Sequence, residues 1–397
     1  MTITEFPWQT NPDHFWLRGH TPKNLVEFDE RLGHWDVYGH PEIVGVLNNP
    51  GRFSSDISRL FPIDYNPEFE EGKIVRMDPP EHGKLRRLLS KAFTPKMVAD
   101  LEPRIAAITA ELLDTVDGSS WELVTDLAYP LPVIVVAELL GVPPSDRKLF
   151  RRWAGELLER TTEMSLREEE RPRMQKVYDT AMEMLQPMLE YVQSHAADRR
   201  QNPRDDLLTR LVEAEVEGQQ LTNVEVVNFA LLLLLAGHVT TTMLLGNTML
   251  CLDTFPEHDA AVRTDRTLVP TLIEESLRYL APFAATARAT TTKVELGGHK
   301  IGSDQLVKVW LGAGNRDERV FDRPHVFDPA RDPNPHLGLG RGVHFCLGAG
   351  LARLEGQIAV NMMLDRFPTL RTDSDNPPIF LQLPHLTGIR VLPLLTR

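Results

Sequence analysis

The segment HLGLGRGVHFCLGAGLAR, residues 336–353, contains Cys346, one of only two cysteines in the 397-residue chain. Glycines stand on both sides of this cysteine, at positions 338, 340, 342, 348 and 350. Glycine lets the backbone turn sharply and lets a ligand approach it closely. The residues after Cys346 have a helical pattern, so we expect its sulfur at or just before a helix N-terminus. The free N–H groups and the dipole at that end of a helix favour a thiolate over a thiol.

Three interpretations of this cysteine remain open on the loop alone. It is a catalytic nucleophile with a base beside it, an axial ligand to haem iron, or a small hydrophobic residue buried in a turn. A dinucleotide-binding loop is disfavoured, because GLGRG does not fit G-x-G-x-x-G in register and the preceding DPNPH is not a strand.

The order of residues around Cys346 is more specific than their composition. The pattern Leu339-x-x-Gly342-x-His344-x-Cys346-x-Gly348 resembles the haem-ligand loop of the cytochrome P-450 family. That loop usually begins with Phe, and Leu339 keeps the bulk while losing the ring. The resemblance implies that the Cys346 thiolate is the axial ligand to the iron of haem b.

Composition and charge exclude several other classes of protein. The chain is 42% hydrophobic and 25% charged, with a net charge of −13, whereas nonspecific nucleic-acid binding requires a basic face. The N-terminal sequence lacks the features of a signal peptide, and the longest apolar run is too short to cross a bilayer. Two cysteines without a CxxC motif argue against a disulfide scaffold or a zinc site. We therefore expect a cytoplasmic protein with no membrane anchor and no nucleic-acid partner.

A basic helix is predicted in MDPPEHGKLRRLLSKAFTP, residues 77–95. His82 and Arg86 are four residues apart and share one helix face, and the planar guanidinium of arginine suits a carboxylate. A solvated basic helix is the alternative. The segment also resembles the helix that holds the haem propionates in the family. The resemblance implies that His82 and Arg86 bind the propionates, together with Arg288 and His344.

A long apolar helix is predicted at about residues 222–253. Thr222-x-x-Glu225 is a capping box, and some thirty residues of helix are about 45 Å long. The helix is apolar on nearly all sides and should run through the core. At its centre, Gly237 leaves a gap beside Thr240, whose hydroxyl can bond to the carbonyl four residues earlier. The gap indicates either a bound diatomic ligand or close helix packing.

The central segment Ala236–Thr241, AGHVTT, resembles the oxygen-binding signature of the family. Thr240 matches the catalytic alcohol and Gly237 the oxygen pocket, but Val239 stands where the family usually has an acid that relays protons. Without that acid, either Thr240 with ordered water or a substrate hydroxyl delivers the protons, or electron consumption is poorly coupled to product formation. The resemblance implies a substrate pocket lined by Leu233, Ala236, Val239, Phe283, Ala284 and Ala285.

Glu275 and Arg278 are three residues apart on a predicted helix. Such pairs are common and stabilise little when they are exposed. The resemblance implies that this one is a buried structural pair near the thiolate side of the haem. Its third partner is unassigned, because Val326 stands where many members have Arg.

A fifth signature is the turn-rich segment at residues 315–329, which resembles the meander before the haem loop of the family. The five signatures together imply a mainly α cytochrome P-450 fold with a small β-rich part, forming one triangular domain over residues 1–397. The implied activity is that of a soluble bacterial haem-thiolate monooxygenase. It inserts one oxygen atom from O2 into a C–H bond or an alkene of a small organic substrate, such as a polyketide or macrolide-like secondary metabolite. Electrons come from NAD(P)H through a ferredoxin-type donor on the cysteine side, and the protein is a monomer. Two alternatives remain: a haem protein with little turnover, because of Val239, and a cysteine-nucleophile enzyme without haem.

Overall fold

The computed structural model describes residues 8–61, 63–146, 149, 152–153 and 166–396. Helices dominate these residues, and the predicted mainly α architecture is confirmed. The helices are α1 (His40–Leu47), α2 (Pro67–Glu70), α3 (Glu81–Ala92), α4 (Pro95–Asp100), α5 (Glu102–Leu113), α6 (Pro130–Leu139), α7 (Arg171–Gln201), α8 (Leu207–Glu213), α9 (Asn223–Thr254), α10 (Pro256–Thr264), α11 (Val269–Tyr279), α12 (Leu311–Gly314) and α13 (Ala349–Arg366).

The strands are short, and most of them lie near the two ends of the chain or between α11 and α12. They are β1 (Val26–Asp29), β2 (His34–Val37), β3 (Phe53–Ser54), β4 (Ser120–Glu122), β5 (Glu215–Val216), β6 (Gln219–Gln220), β7 (Thr286–Thr290), β8 (Val294–Leu296), β9 (His299–Ile301), β10 (Leu306–Val309), β11 (Arg371–Thr372), β12 (Ile379–Phe380), β13 (Ile389–Val391) and β14 (Pro393–Leu395).

One five-stranded sheet has the order β1-β2-β10-β7-β3, in which only β2 and β10 are parallel. A three-stranded sheet has the order β11-β14-β4, and β5–β6, β8–β9 and β12–β13 form separate pairs. Gly297 and Gly298 form the turn that joins β8 to β9, and both have positive φ, which glycine adopts readily. The larger sheet matters for the site because β7 carries Arg288, opposite Val307 of β10.

The long helix α9 begins where the sequence predicts. The Thr222 side chain accepts a hydrogen bond from the Glu225 N–H, and the Glu225 side chain accepts one from the Thr222 N–H. The 32-residue helix is long and apolar enough to cross a membrane, but 61% of its most apolar window is buried within the protein. It packs against α6, α7, α11 and α13. We conclude that α9 is the central helix of the core.

The main hydrophobic core is continuous from Trp16 to Leu394. It includes buried side chains of α5, α6, α9, α11 and α13, and a second, smaller core lies under the five-stranded sheet. The Cys346 loop packs against α1 at Gly342 and against α11 at Gly338.

Two segments are expected by resemblance to determine substrate specificity, at about 54–76 and 155–190. The first contains 3-10 turns and the short helix α2, so it is more ordered than the irregular loop that the sequence suggests. It is bound to α7: the Gln175 side chain accepts from the Asp64 N–H at 2.7 Å, and the Tyr178 hydroxyl accepts from the Asn66 N–H at 2.9 Å. Residues 155–165 of the second segment lie outside the described residues.

Candidate active site

Cys346 lies in a tight loop, three residues before α13 begins. Its N–H donates to the Leu339 carbonyl at 3.0 Å, and the Phe345 N–H donates to the Gly342 carbonyl at 3.0 Å. Gly340 and Gly342 have positive φ, and a Cβ at Gly342 would lie 2.6 Å from the Leu47 carbonyl oxygen. Glycine is therefore required at position 342 both by backbone conformation and by the close approach of α1.

The protonation of Cys346 differs from the sequence-based expectation. Burial raises the pKa of this thiol, although the Gly348 N–H and the charges of Arg86 and Arg353 act in the opposite direction. The helix N-terminus therefore acts as expected, but the loss of hydration outweighs it. A thiolate at this position requires a stronger partner than the helix, and coordination to a metal deprotonates a thiol outright.

The residue Cys346 is exposed, although protein surrounds its thiol on most sides. Among the described residues, no histidine or carboxylate is hydrogen-bonded to Cys346. Nε2 of His344 instead pairs with the Ser55 hydroxyl at 2.8 Å and with the Met77 carbonyl at 3.0 Å. Burial, together with Arg288 and His82, lowers the pKa of His344 to about 4. The base that a cysteine nucleophile needs is thus not in contact with the sulfur.

The four predicted propionate ligands converge beside this loop. The rings of His82 and His344 are 4.3 Å apart between centroids. Arg86 donates to the carbonyl oxygen of Phe345, next to Cys346, at 2.6 Å. The charge of Arg288 is close enough to act on His344. Helix α3, strand β7 and the cysteine loop therefore supply one group of cationic and imidazole side chains.

Several of these groups have unused hydrogen-bonding capacity. Nε2 of His82 is buried without a partner, on a side chain that is only 2% exposed. The guanidinium of Arg288 bonds to the carbonyl of its neighbour Ala287, and burial lowers the pKa of Arg288 to about 10. No carboxylate of the described residues lies within ion-pair distance of Arg86 or Arg288. Buried polar groups are normally paired, so these donors fit a dianionic ligand, and the residues present fit haem.

An accessible stripe interrupts the buried surface of α9. Ala236 is exposed, and Leu233, Gly237, Val239 and Thr240 are partly exposed, whereas residues 241–250 are all buried. The Thr240 hydroxyl donates to the Ala236 carbonyl at 3.0 Å, as the sequence predicts. Its proton is therefore engaged, and its oxygen lone pairs are left to accept a hydrogen bond from a water or a substrate.

Gly237 is explained by packing. A Cβ there would lie 3.1 Å from a methyl group of Val136 on α6. The structure thus accounts for this glycine by the close helix contact that the sequence leaves open, and the predicted roles of Gly237 and Thr240 in the reaction stay predictions.

The predicted lining residues after α11 divide into two groups. Phe283 is 41% exposed, and its backbone forms an isolated antiparallel β-bridge with Leu386, which lies between β12 and β13. Ala284 and Ala285 are 0% and 3% exposed and belong to the main core. They have no surface to offer a substrate, because their N–H groups and methyls face the His385 backbone and the core. We retain Phe283 alone of the three.

Glu275 and Arg278 form a fully buried ion pair joined by two hydrogen bonds, with Arg278 Nη2 2.7 Å from Glu275 Oε1. The third partner is Arg331, whose Nε is 3.2 Å from Glu275 Oε2. Asn334 also donates to Glu275 at 3.2 Å. The sequence did not indicate Arg331, because it lies five residues beyond Val326 in an irregular segment. Arg331 also donates to the Val326 carbonyl, so its guanidinium lies beside the position where many members of the family have Arg.

Comparison with known proteins identifies the family. The sequence profile of the family Cytochrome P450 matches residues 162–391. The chain is 44% identical over 381 residues to cyclomarin C epoxidase CymV of Salinispora arenicola, with 96% of this chain and 94% of that protein covered. It is 40% identical over 400 residues to erythromycin C-12 hydroxylase of Saccharopolyspora erythraea, with 99% and 97% covered.

The fold agrees with solved structures. The crystal structure of HmtT, which is involved in himastatin biosynthesis, superposes on this chain with a TM-score of 0.91 at 52% identity, and 100% of each chain is covered. A monooxygenase described as cytochrome P450-like, from microbial secondary metabolism, gives a TM-score of 0.94 at 48% identity over 98% of this chain and 100% of that one. With these matches, which extend over nearly the whole chain, and a cysteine in a glycine-rich loop, the chain belongs to the cytochrome P450 family of haem-thiolate monooxygenases.

Proposed function

We propose that this monooxygenase binds haem b through Cys346, and that His82, Arg86 and Arg288 hold the propionates, with His344 alongside. The observation that carries this assignment is the unpartnered, buried Nε2 of His82 beside an Arg288 that has no carboxylate partner among the described residues. The bound haem would activate O2 for insertion of one oxygen atom, helped by electron donation from the thiolate. The protein's own contribution is to place the sulfur, compensate the propionates and shape the distal pocket.

Thr240 is the proposed positioning group for protons at the oxygen site. Its hydroxyl proton is held by Ala236 O, so its oxygen accepts from a water or a substrate hydroxyl. Val239 cannot carry a proton. Proton delivery then depends on whatever donor the substrate or solvent brings to Thr240. The accessible side chains of Leu233, Ala236 and Val239 on α9, together with Phe283, form the proposed substrate contact.

The proposed substrate is a macrolide or a cyclic peptide, which the enzyme hydroxylates or epoxidises. The relatives named above act, by their names, on cyclomarin C and erythromycin, and HmtT belongs to himastatin biosynthesis. Exposed apolar side chains at Phe283 and at Ile379 of the adjacent hairpin would add apolar contact surface for such a ligand.

Electrons are proposed to come from NAD(P)H through a ferredoxin-type protein that docks on the cysteine side. A depression of about 570 Å³ lies there, and it is lined by His82, Gly83, Arg86, Arg87, Ser90, Lys91, Gly342 and Val343. This surface is basic although the chain carries a net charge of −13, so it selects an acidic partner by electrostatic complementarity.

We further propose that the chain is a single-domain, cytoplasmic monomer. The continuity of the main core from Trp16 to Leu394 supports a single domain, and the burial of α9 supports a soluble protein.

The substrate proposal is tested with the haem-loaded enzyme, a bacterial ferredoxin, its reductase and NADPH under isotopically labelled dioxygen. Macrolides and cyclic peptides form one panel, and camphor-sized monocyclic compounds form the other. We expect one labelled oxygen atom in products of the first panel and none with Cys346→Ala. Turnover of the small compounds alone would contradict the proposed substrate class while leaving the reaction class intact.

The docking proposal is tested with Arg87→Glu, compared with Lys293→Glu on the exposed start of the β8–β9 hairpin as a matched charge reversal. We expect the first variant to slow reduction by ferredoxin at least about tenfold at low salt, since rim charges mainly control association rates. Reduction by dithionite should not change. Equal rates for the two variants would contradict docking at this depression.

A further inference from the structure

The Cys346 loop is attached to α11 at both of its ends by one carboxylate. The Glu274 side chain receives two hydrogen bonds from Arg353, each 2.7 Å long, and pairs with His336 Nε2 at 3.1 Å. His336 begins the loop, and Arg353 lies in the second turn of α13, after the cysteine. We call this group of Glu274, His336 and Arg353 the Glu274 brace.

The hydrogen bonds fix the direction of each contact. The Gly338 N–H donates to His336 Nδ1 at 3.1 Å, so Nδ1 is the acceptor and the ring proton is on Nε2. Nε2 of His336 therefore donates to Glu274. A Cβ at Gly338 would lie 2.4 Å from the Leu277 carbonyl oxygen, so the loop runs directly against the α11 backbone at this point.

The carboxylate remains charged under ordinary conditions. Burial alone would raise the pKa of Glu274, but Arg353 and His336 outweigh it and hold the pKa at about 2. Arg353 is also close enough to Cys346 for its charge to act on the sulfur, as is that of Arg86. Arg86 bonds to a backbone carbonyl. Of the two cations, only Arg353 is paired with a carboxylate of the described residues.

We propose that Glu274 is a positioning residue for the haem thiolate: it fixes the Cys346 loop to α11 and neutralises Arg353, and so sets the electron density on the sulfur. This inference rests on the proposed ligation of haem by Cys346. An unpaired cation beside the thiolate stabilises the reduced, more negative centre and raises the reduction potential. A neutral pair leaves the potential low and favours electron donation from sulfur to iron.

The test is a charge cycle on the haem-loaded protein, measured by spectroelectrochemistry. Glu274→Gln leaves a net positive charge, and we expect a potential more positive than that of the native protein. Arg353→Gln leaves a net negative charge, and its potential should be more negative. The double variant is neutral again and should return most of the way to the native value. Each single change should alter the equilibrium constant for one-electron reduction by about threefold to tenfold, and tenfold corresponds to about 59 mV.

A matched pair elsewhere provides the control. Arg104 and Glu138 form the same two-bond contact at 2.7 Å and 2.7 Å, at similar exposure, but Arg104 does not act on Cys346. Glu138→Gln and Arg104→Gln should leave the potential unchanged. If the role of Glu274 is purely structural, the reduction potentials of the two single variants should shift in the same direction or not at all. Either outcome overturns the proposal.

The experiment separates this inference from the proposed function. Absence of a thiolate-type carbon monoxide spectrum in the native protein would remove haem ligation by Cys346 itself. A normal native spectrum with equal potentials for all variants would remove only the role of Glu274. If Glu274→Gln loses haem, amide hydrogen exchange over residues 338–346 decides the matter. Faster exchange than in Glu138→Gln supports the brace, and equal exchange overturns it.

Discussion

Replacing Glu275 by alanine would leave two guanidinium groups beside a cavity with no carboxylate to compensate them. Glu275 and Arg278 are both 0% exposed, and Glu275 also receives hydrogen bonds from the Asp328 N–H, Arg331 and Asn334. Removal of one partner of a buried ion pair costs about 3–5 kcal/mol. Domains are stable by only about 5–15 kcal/mol, so we expect the variant to lose roughly a fifth or more of its stability.

The assay is urea denaturation of the haem-loaded protein, followed by tryptophan fluorescence and by Soret absorbance. Glu81→Ala is the matched control, because Glu81 also pairs with a cation three residues later, Lys84, at 2.8 Å, but the two side chains are 61% and 44% exposed. An exposed pair of this kind contributes about 0.2–1 kcal/mol. Glu275→Gln keeps the side-chain shape and separates the loss of charge from the loss of volume. A cost for Glu275→Ala no larger than that for Glu81→Ala would refute the reasoning.

Three further changes test the site and the core. Thr240→Val removes the hydroxyl but keeps the shape, so the substrate dissociation constant should hold within about twofold while product per NAD(P)H falls at least about tenfold; unchanged coupling would argue against Thr240. Val239→Asp supplies the acid that this chain lacks, and product yield per electron pair should rise; a fall would show that the substrate or solvent already delivers protons. Burial raises the pKa of Glu355 to about 8, so its contribution to stability is present below its ordinary pKa and is lost as pH rises from about 4.3 to about 8. The Tm of Glu355→Gln should not show this decline with rising pH. Identical pH profiles of Tm for the variant and the native protein would contradict the prediction.

The parts of the structure that the sequence predicted well depend on local patterns. Thr222 and Glu225 are three residues apart, and their reciprocal hydrogen bonds begin α9 where the capping box predicts. The spacing of Glu275 and Arg278 places them side by side on one helix. In each case the interaction lies within one helical turn, so residue spacing alone carries the information.

The parts that the sequence did not predict depend on contacts between distant segments. Glu274 meets His336 and Arg353 across 62 and 79 residues, and no periodicity links these positions. Arg331 reaches Glu275 from an irregular segment. The space beside Gly237 is filled by Val136 of another helix. Burial is equally nonlocal: the helix terminus near Cys346 was recognised, but the enclosure that raises the pKa of its thiol depends on the whole fold.

The central claim is that Cys346 is the thiolate ligand of a haem whose propionates are held by His82, Arg86 and Arg288. The most direct measurement is the carbon monoxide difference spectrum of the purified, dithionite-reduced protein, recorded beside Cys346→Ala. We expect the strongly red-shifted Soret band of a thiolate-ligated haem in the native protein and its loss in the variant. A native protein without haem after expression with ample haem, or a red-shifted band that survives Cys346→Ala, would contradict ligation of haem by Cys346.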